Sequence, residues 1–125
     1  MENNNCPFCE PPADEVLMEN EYAYAKFDIN PVTKGHALVI SRRHFGDYFD
    51  ATPEEREKIW DLTAELKEYL AARYHPDGFN FGINVGEAAG QTIFHLHVHL
   101  IPRRKGDVGN PRGGIRHLMP GKGNY

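Results

Sequence analysis

The chain lacks several features that would place it at once in a large class of proteins. No uninterrupted apolar run among its 125 residues approaches the roughly 20 residues that a membrane-spanning helix requires. The first five residues also lack the basic and apolar stretches of a secretory signal. We therefore expect a cytoplasmic protein with no membrane partner. In that reducing environment, two cysteines are not expected to form a structural disulfide.

An overall excess of positive charge is missing as well. The formal net charge is −4, yet the segment from Arg103 to Tyr125 carries six Lys or Arg residues against one acid, so residues 1–102 carry −9. This acidity argues against a protein that binds nucleic acid polymers. A local basic edge can nevertheless hold a small anionic substrate.

The chain length fits one domain, and its periodic segments predict a mixed helix and sheet fold. One long helix is predicted over Pro53–Tyr74, because Thr52 can cap it, Pro53 suits its first turn and Glu55 completes a capping box. Short strands are predicted within Glu15–Phe27 and over His36–Ile40, Phe79–Val85 and Ile93–Ile101. The segment from Pro102 onward holds six of the twelve glycines and has no periodic pattern, so we expect it to be irregular.

Three histidines alternate with apolar residues in His95-Leu96-His97-Val98-His99-Leu100. On a strand they would share one face, spaced by roughly 6.6–7 Å, which lets neighbouring imidazoles act on one bound group. Two other interpretations remain open: a polar stripe on an edge strand, and a metal site formed by these three side chains alone.

The segment from Gln91 to Arg103 resembles the signature of the histidine triad (HIT) family of nucleotide hydrolases and transferases. The resemblance rests on His-x-His-x-His followed by two apolar residues and preceded by Gln91-Thr92. It extends to the strand that begins at Gly35-His36, and to the helix and the glycine loop that precede the three histidines. It covers most of residues 6–105.

The resemblance implies roles for individual residues. His97 matches the family's nucleophile, which attacks the α-phosphorus of a nucleotide and forms a covalent nucleotidyl-histidine. His99 matches the residue that contacts the α-phosphate and helps the leaving group depart, and His36 matches a supporting histidine. Asp28 matches a residue that binds the ribose hydroxyls. The polar residues matched to the surroundings of the phosphates are Asn84, Gln91 and Thr92.

The pair Cys6-x-x-Cys9 is ambiguous by itself, since this spacing serves redox sites and metal sites and also arises by chance. Some members of the resembled family bind zinc through such a pair, a histidine after the Gly-His strand and the first histidine of the triad. That resemblance implies a structural zinc held by Cys6, Cys9, His44 and His95.

The resemblance also implies an α+β fold with a five-stranded, mostly antiparallel sheet, one long and one short helix, and a homodimer with a ten-stranded sheet. We expect residues 1–105 to form the domain with its zinc-binding segment, and residues 106–125 to form a basic, glycine-rich tail. The tail either reaches the distal phosphates of a long substrate or is a solubilising extension.

The leading functional prediction is an enzyme that cleaves at the α-phosphate of a nucleotide, with a diadenosine polyphosphate or a nucleoside phosphoramidate as substrate and adenine or another purine as base. The alternatives are a nucleotide-binding adaptor or sensor with little turnover, and a purely structural zinc module. The leaving group and the acceptor of the second step stay open, since water, phosphate and a sugar phosphate all fit.

Overall fold

A computed structural model describes residues 6–123, which form one sheet and one long helix. The strands are β1 (Met18–Glu19), β2 (Ala23–Phe27), β3 (Ala37–Ser41), β4 (Gly78–Gly82) and β5 (His97–Arg103), and the helix is α1 (Pro53–Tyr74). Short 3₁₀ turns span Ala13–Glu15, Tyr48–Asp50, Glu87–Ala89 and Gly114–Leu118. Within residues 6–123, no helix combines the length and apolar character that crossing a membrane requires.

The five strands pair antiparallel in the order β1-β2-β3-β5-β4, which confirms the predicted five-stranded sheet. After β3 the chain forms α1 and then the edge strand β4. It returns to place β5 between β3 and β4. Leu38 pairs with His99 and Ile40 with His97 in the register between β3 and β5. Both histidines therefore lie on an inner strand of the sheet.

Helix α1 begins and ends at the predicted residues because its signals are local. The Thr52 hydroxyl accepts a hydrogen bond from the Glu55 N–H at 3.1 Å, and the Glu55 carboxylate accepts one from the Thr52 N–H at 2.9 Å. At the other end His75 adopts a left-handed conformation with a φ of 49°, which stops the helix before Pro76.

The two faces of the sheet are covered by different segments. The buried stripe of α1, Ile59, Leu62, Leu66 and Leu70, packs in one cluster with Val39, Val98 and other small apolar residues of the strands. On the opposite face, Leu38 and Ile40 pack with Tyr24 and with Phe8 from the N-terminal segment. His97 and His99 are cross-strand neighbours of Ile40 and Leu38, so they lie on this second face, away from the helix.

Three predicted elements differ from those observed. The strand predicted over Phe79–Val85 ends at Gly82, because pairing with β5 stops at Gly82 opposite His99. The strand predicted over Ile93–Ile101 begins only at His97, since the Leu96 N–H donates to the Phe45 carbonyl at 2.7 Å and not to a strand partner. Among the described residues the predicted short helix takes the form of 3₁₀ turns.

Gly35 forms the turn through which the chain enters β3. Its φ of 92° lies in the left-handed region, and a Cβ atom there would come within 2.9 Å of the Tyr74 ring. Only glycine fits this turn without strain. It delivers His36 to the start of β3 beside His99.

Candidate active site and metal cluster

A cavity of about 370 Å³ opens on the sheet face opposite α1. We call it the first cavity; its size falls within the range of small-molecule sites in proteins. The predicted residues that line it are Asp28, His36, Asn84, Gln91, Thr92, His97 and His99. They come from the ends of β2 and β3, the loops around residues 84–92 and the start of β5. The fold thus brings together every residue predicted for catalysis and nucleotide binding.

The orientation of His97 is fixed by the backbone two residues earlier. Its Nδ1 lies 2.8 Å from the carbonyl oxygen of His95. A carbonyl oxygen can only accept, so Nδ1 carries the proton and donates. The lone pair of the neutral ring then resides on Nε2. This tautomer is the one that a nucleophilic imidazole needs if Nε2 is to attack.

His36 and His99 form a chain of hydrogen bonds with a defined direction. The Val32 N–H donates to His36 Nδ1 at 3.1 Å, so the proton of a neutral His36 resides on Nε2. That nitrogen lies 3.0 Å from His99 Nδ1 and donates to it. His99 is consequently left with its own proton on Nε2, which makes it a hydrogen-bond donor.

Burial keeps both rings of this chain neutral near pH 7. The pKa of His99 is lowered to about 4, chiefly by desolvation and also by the nearby His97 and His36, against an opposing effect of the Asp28 carboxylate. Burial also lowers the pKa of His36, again partly offset by Asp28. One oxygen of Asp28 lies 3.4 Å from His36 Nε2 and 3.9 Å from His99 Nδ1.

The other predicted residues around the cavity are used in different ways. The second oxygen of Asp28 accepts from the Asn30 N–H at 2.8 Å, and this bond shapes the turn after β2. Gln91 is buried, and its amide bonds to the backbone of Gly86, Gly46 and Ile93. Gln91 therefore supports the loop that forms one wall of the cavity. Thr92 is exposed at that wall, and Asn84 is partly buried at its far side.

A second group of predicted residues converges beside the cavity. We call Cys6, Cys9, His44 and His95 the Cys₂His₂ cluster; one ligand atom of each lies within 4.8 Å of every other. His95 Nδ1 lies 3.3 Å from Cys6 Sγ, 3.6 Å from Cys9 Sγ and 3.1 Å from His44 Nδ1, and Cys9 Sγ lies 3.2 Å from His44 Nδ1.

These separations and donor types fit a tetrahedral zinc ion. Zinc bonds of roughly 2.3 Å to sulfur and 2.0–2.1 Å to nitrogen place neighbouring ligand atoms about 3.3–3.8 Å apart. His95 Nε2 lies 2.6 Å from the Ser41 carbonyl oxygen and must carry the proton, which leaves the Nδ1 lone pair directed at the cluster. A metal-binding histidine typically donates its other N–H in this way.

Phe8, which sequence reasoning did not single out, connects the cluster to the cavity. It lies between the two cysteines, lines the first cavity and packs edge-on against His97 with 5.0 Å between ring centroids. Its carbonyl accepts from the Tyr24 hydroxyl at 2.6 Å, and burial raises the pKa of Tyr24 so that the phenol keeps its proton. The sequence signal that could have identified Phe8 was the Cys-x-x-Cys spacing. If both cysteines lie near His95, the residues between them must lie there as well.

Comparison with known proteins places these features in a family. The model of the HIT domain matches residues 11–106. A crystal structure of a HIT family protein from Bacillus anthracis is 40% identical, covers 86% of this chain and 80% of its own, and superposes with a TM-score of 0.77. A zinc-bound histidine triad family protein from Mycobacterium smegmatis is 38% identical, with coverages of 82% and 78% and a TM-score of 0.74.

A relative with a named activity is also similar. The bis(5'-adenosyl)-triphosphatase of Dictyostelium discoideum is 34% identical over 96 residues, which are 77% of this chain and 64% of that protein. Nucleotide hydrolysis is therefore an activity found among proteins of this fold and sequence.

The lowered pKa of His99 predicts a distinct pH response. NMR titration of the histidine rings should give His99 a midpoint near 4, against an ordinary value of 6.5. Because the unfolded chain then binds more protons than the folded one between pH 6.5 and pH 4, stability contributed by the neutral ring is lost as the pH falls through that window.

The variant His99→Gln separates this effect from the titration of carboxylates. From pH 7 to pH 4.5, the free energy of unfolding measured with urea should fall by less in this variant than in the wild type. A His99 midpoint near its ordinary value, together with equal losses in both proteins, would contradict the geometry described for His36, His97, His99 and Asp28.

Proposed function

This chain belongs to the histidine triad (HIT) family, and on that premise we propose that it cleaves nucleotides at the α-phosphate through a covalent nucleotidyl-histidine on His97. The observation that carries the proposal is the pair of tautomers in the first cavity. His97 presents a lone pair on Nε2, and His99 presents a proton on Nε2 one strand step away. A nucleophile and a hydrogen-bond donor are thus adjacent and in complementary states.

In the first step His97 Nε2 forms a bond to the α-phosphorus as the bond from phosphorus to the leaving oxygen or nitrogen breaks. His99 Nε2–H donates a hydrogen bond to that leaving atom and stabilises the negative charge that develops on it, and solvent water supplies the proton that the leaving atom takes up. Because the pKa of His99 is lowered to about 4, the ring is neutral at pH 7 and keeps its Nε2–H as a hydrogen-bond donor. His36 then stabilises the ring from the other side by donating to His99 Nδ1.

In the second step water hydrolyses the nucleotidyl-histidine. The oxygen of the water forms a bond to phosphorus as the bond from phosphorus to His97 Nε2 breaks, the proton of the attacking water passes to solvent, and the nucleoside monophosphate leaves. His97 returns to its starting tautomer and His99 keeps its Nε2 proton throughout, so the cycle balances.

The residues that line the first cavity also support a purine nucleotide as the substrate. We assign Asp28 to the ribose hydroxyls, since a carboxylate is an acceptor for two neighbouring O–H groups and its turn borders the cavity. Phe8, Phe27, Leu38 and Ile93 provide apolar walls suited to a purine base. We assign Asn84 and Thr92 to the surroundings of the phosphates, and Gln91 to support of the adjoining loop.

We propose that the Cys₂His₂ cluster holds one structural zinc ion. Four protein ligands would complete its coordination, so the ion would supply no open site for water and no chemistry to the reaction. Cys6 and Cys9 would tie the N-terminal segment to β5 and so keep Phe8 against His97. The chain itself would then link metal binding to the shape of the first cavity.

We further propose a homodimer with a ten-stranded sheet, built through α1 and β4. Among the described residues β4 is an edge strand that pairs only with β5. Phe81 on β4 is 53% exposed and its ring lies 6.0 Å from that of Trp60 on α1. An edge strand with exposed aromatic residues is suited to pairing with a second copy. Residues 1–105 would form the domain and residues 106–125 a tail beyond it.

Replacing His97 tests the proposed reaction. His97→Ala should lower turnover of diadenosine polyphosphates and adenosine phosphoramidates by roughly three or more orders of magnitude, because no other imidazole in the first cavity offers an unprotonated Nε2. Product release is measured by chromatography. The control His117→Ala alters an exposed tail histidine and should keep the wild-type rate. Turnover by His97→Ala near the wild-type rate would refute the covalent route, and a wild type that binds AMP without turnover would favour the sensor alternative.

Metal analysis tests the Cys₂His₂ cluster. Protein purified without chelators should contain about one zinc per chain. Cys9→Ser should lose the metal and about 3 kcal/mol of unfolding free energy, since a ligand that binds only the folded state stabilises it by roughly that amount at a few hundred times its Kd. Glu10→Gln, which alters the exposed neighbour of Cys9, should keep both. A wild type without metal, or a Cys9→Ser protein as stable as the wild type, would contradict the zinc assignment.

A further inference from the structure

A second cavity of about 470 Å³ adjoins the first. The two share four lining residues, Val32, His36, Asn84 and His99. His97 lines only the first cavity, whereas His99 borders both. The proposed nucleophile and the hydrogen-bond donor to the leaving atom are therefore placed differently with respect to the second cavity.

The walls of this second cavity are largely apolar and come from two parts of the chain. Asn80, Phe81, Gly82, Ile83 and Ile101 line it from the sheet, and Gly114, Ile115 and Leu118 line it from the tail. Ile115 is 60% exposed and Leu118 is 75% exposed, so both leave apolar surface uncovered. The residues that line this cavity include no Lys, Arg, Asp or Glu.

The reaction geometry assigns this space to one part of the substrate. In an in-line displacement the leaving group departs on the side of phosphorus opposite the nucleophile. His99, which hydrogen-bonds the leaving atom in the proposed function, lies where the first cavity opens into the second. A group attached to that atom and directed away from His97 therefore enters the second cavity.

We propose that the second cavity binds an uncharged apolar leaving group, an aryl or branched alkyl group joined to the α-phosphorus through nitrogen or oxygen, and that Ile115 and Leu118 determine this preference. The inference rests on the proposed function and decides between its two substrate classes. A nucleoside phosphoramidate of an apolar amine is favoured over a diadenosine polyphosphate.

The charges around the cavity disfavour a polyphosphate chain. Placing phosphate charges in an apolar space without paired cations is costly. Arg103 donates to Asn80 at 2.6 Å behind the wall, but it is already paired with the Asp107 carboxylate at 2.8 Å. Arg112 and Arg116, the tail residues expected to reach distal phosphates, line neither cavity. The tail of the same chain thus contributes apolar side chains to the second cavity.

Binding measurements on the full-length His97→Ala protein test this inference, because bound ligand stays intact. Calorimetry compares AMP, ADP, adenosine 5'-phosphoramidate and its N-phenylethyl derivative. The phenylethyl compound should bind at least about tenfold more tightly than the unsubstituted amidate, whereas ADP should bind no more tightly than AMP. The ratio of kcat/KM between the two amidates in otherwise wild-type protein should show the same preference.

A pair of tail variants locates the preference. Ile115→Asp combined with Leu118→Asp should abolish the tenfold gain while AMP affinity persists. Met119→Asp, which changes an exposed tail residue that lines neither cavity, should retain the gain.

Three results would count against the inference in distinguishable ways. AMP binding with no gain from the phenylethyl group, or a gain that survives the double substitution, would overturn the inference alone. A larger gain from the added phosphate of ADP would overturn it in favour of the polyphosphate class. Absence of binding by AMP and by every derivative would overturn the proposed function as well.

Discussion

His95 donates from Nε2 to the Ser41 carbonyl at 2.6 Å, and much of the site depends on that one bond. It fixes the ring of a fully buried residue so that Nδ1 faces Cys6, Cys9 and His44. The backbone carbonyl of the same residue accepts a hydrogen bond from His97 Nδ1–H. One residue thereby links the N-terminal segment, the end of β3 and the orientation of the proposed nucleophile.

The chemistry of the site follows from which nitrogen of each imidazole is protonated. A backbone carbonyl sets the tautomer of His97, and a backbone amide, that of Val32, sets the tautomer of His36 and through it that of His99. Burial keeps His36 and His99 neutral, so the defined tautomers persist at pH 7. Three side chains of one type thus acquire different functions from their neighbours.

The features predicted well from sequence are those determined locally or by residue type. The bounds of α1 follow from the capping box at its start and from Pro76 just after its end. The Cys₂His₂ cluster follows from a resemblance that specifies its residues. The start of β5 was mispredicted because it depends on a hydrogen bond to Phe45, which is distant in sequence. The engagement of Gln91 with Gly46 and the contact of Phe8 with His97 were missed for the same reason.

The central claim is that the reaction proceeds through a bond between phosphorus and His97. Rapid quenching of the wild type with an adenosine phosphoramidate, followed by mass measurement of the intact protein and of its peptides, tests this directly. The account predicts a gain equal to one adenylyl group, located on His97 and released on further incubation. An adduct on another residue, or steady turnover with no adduct at any quench time, would contradict it.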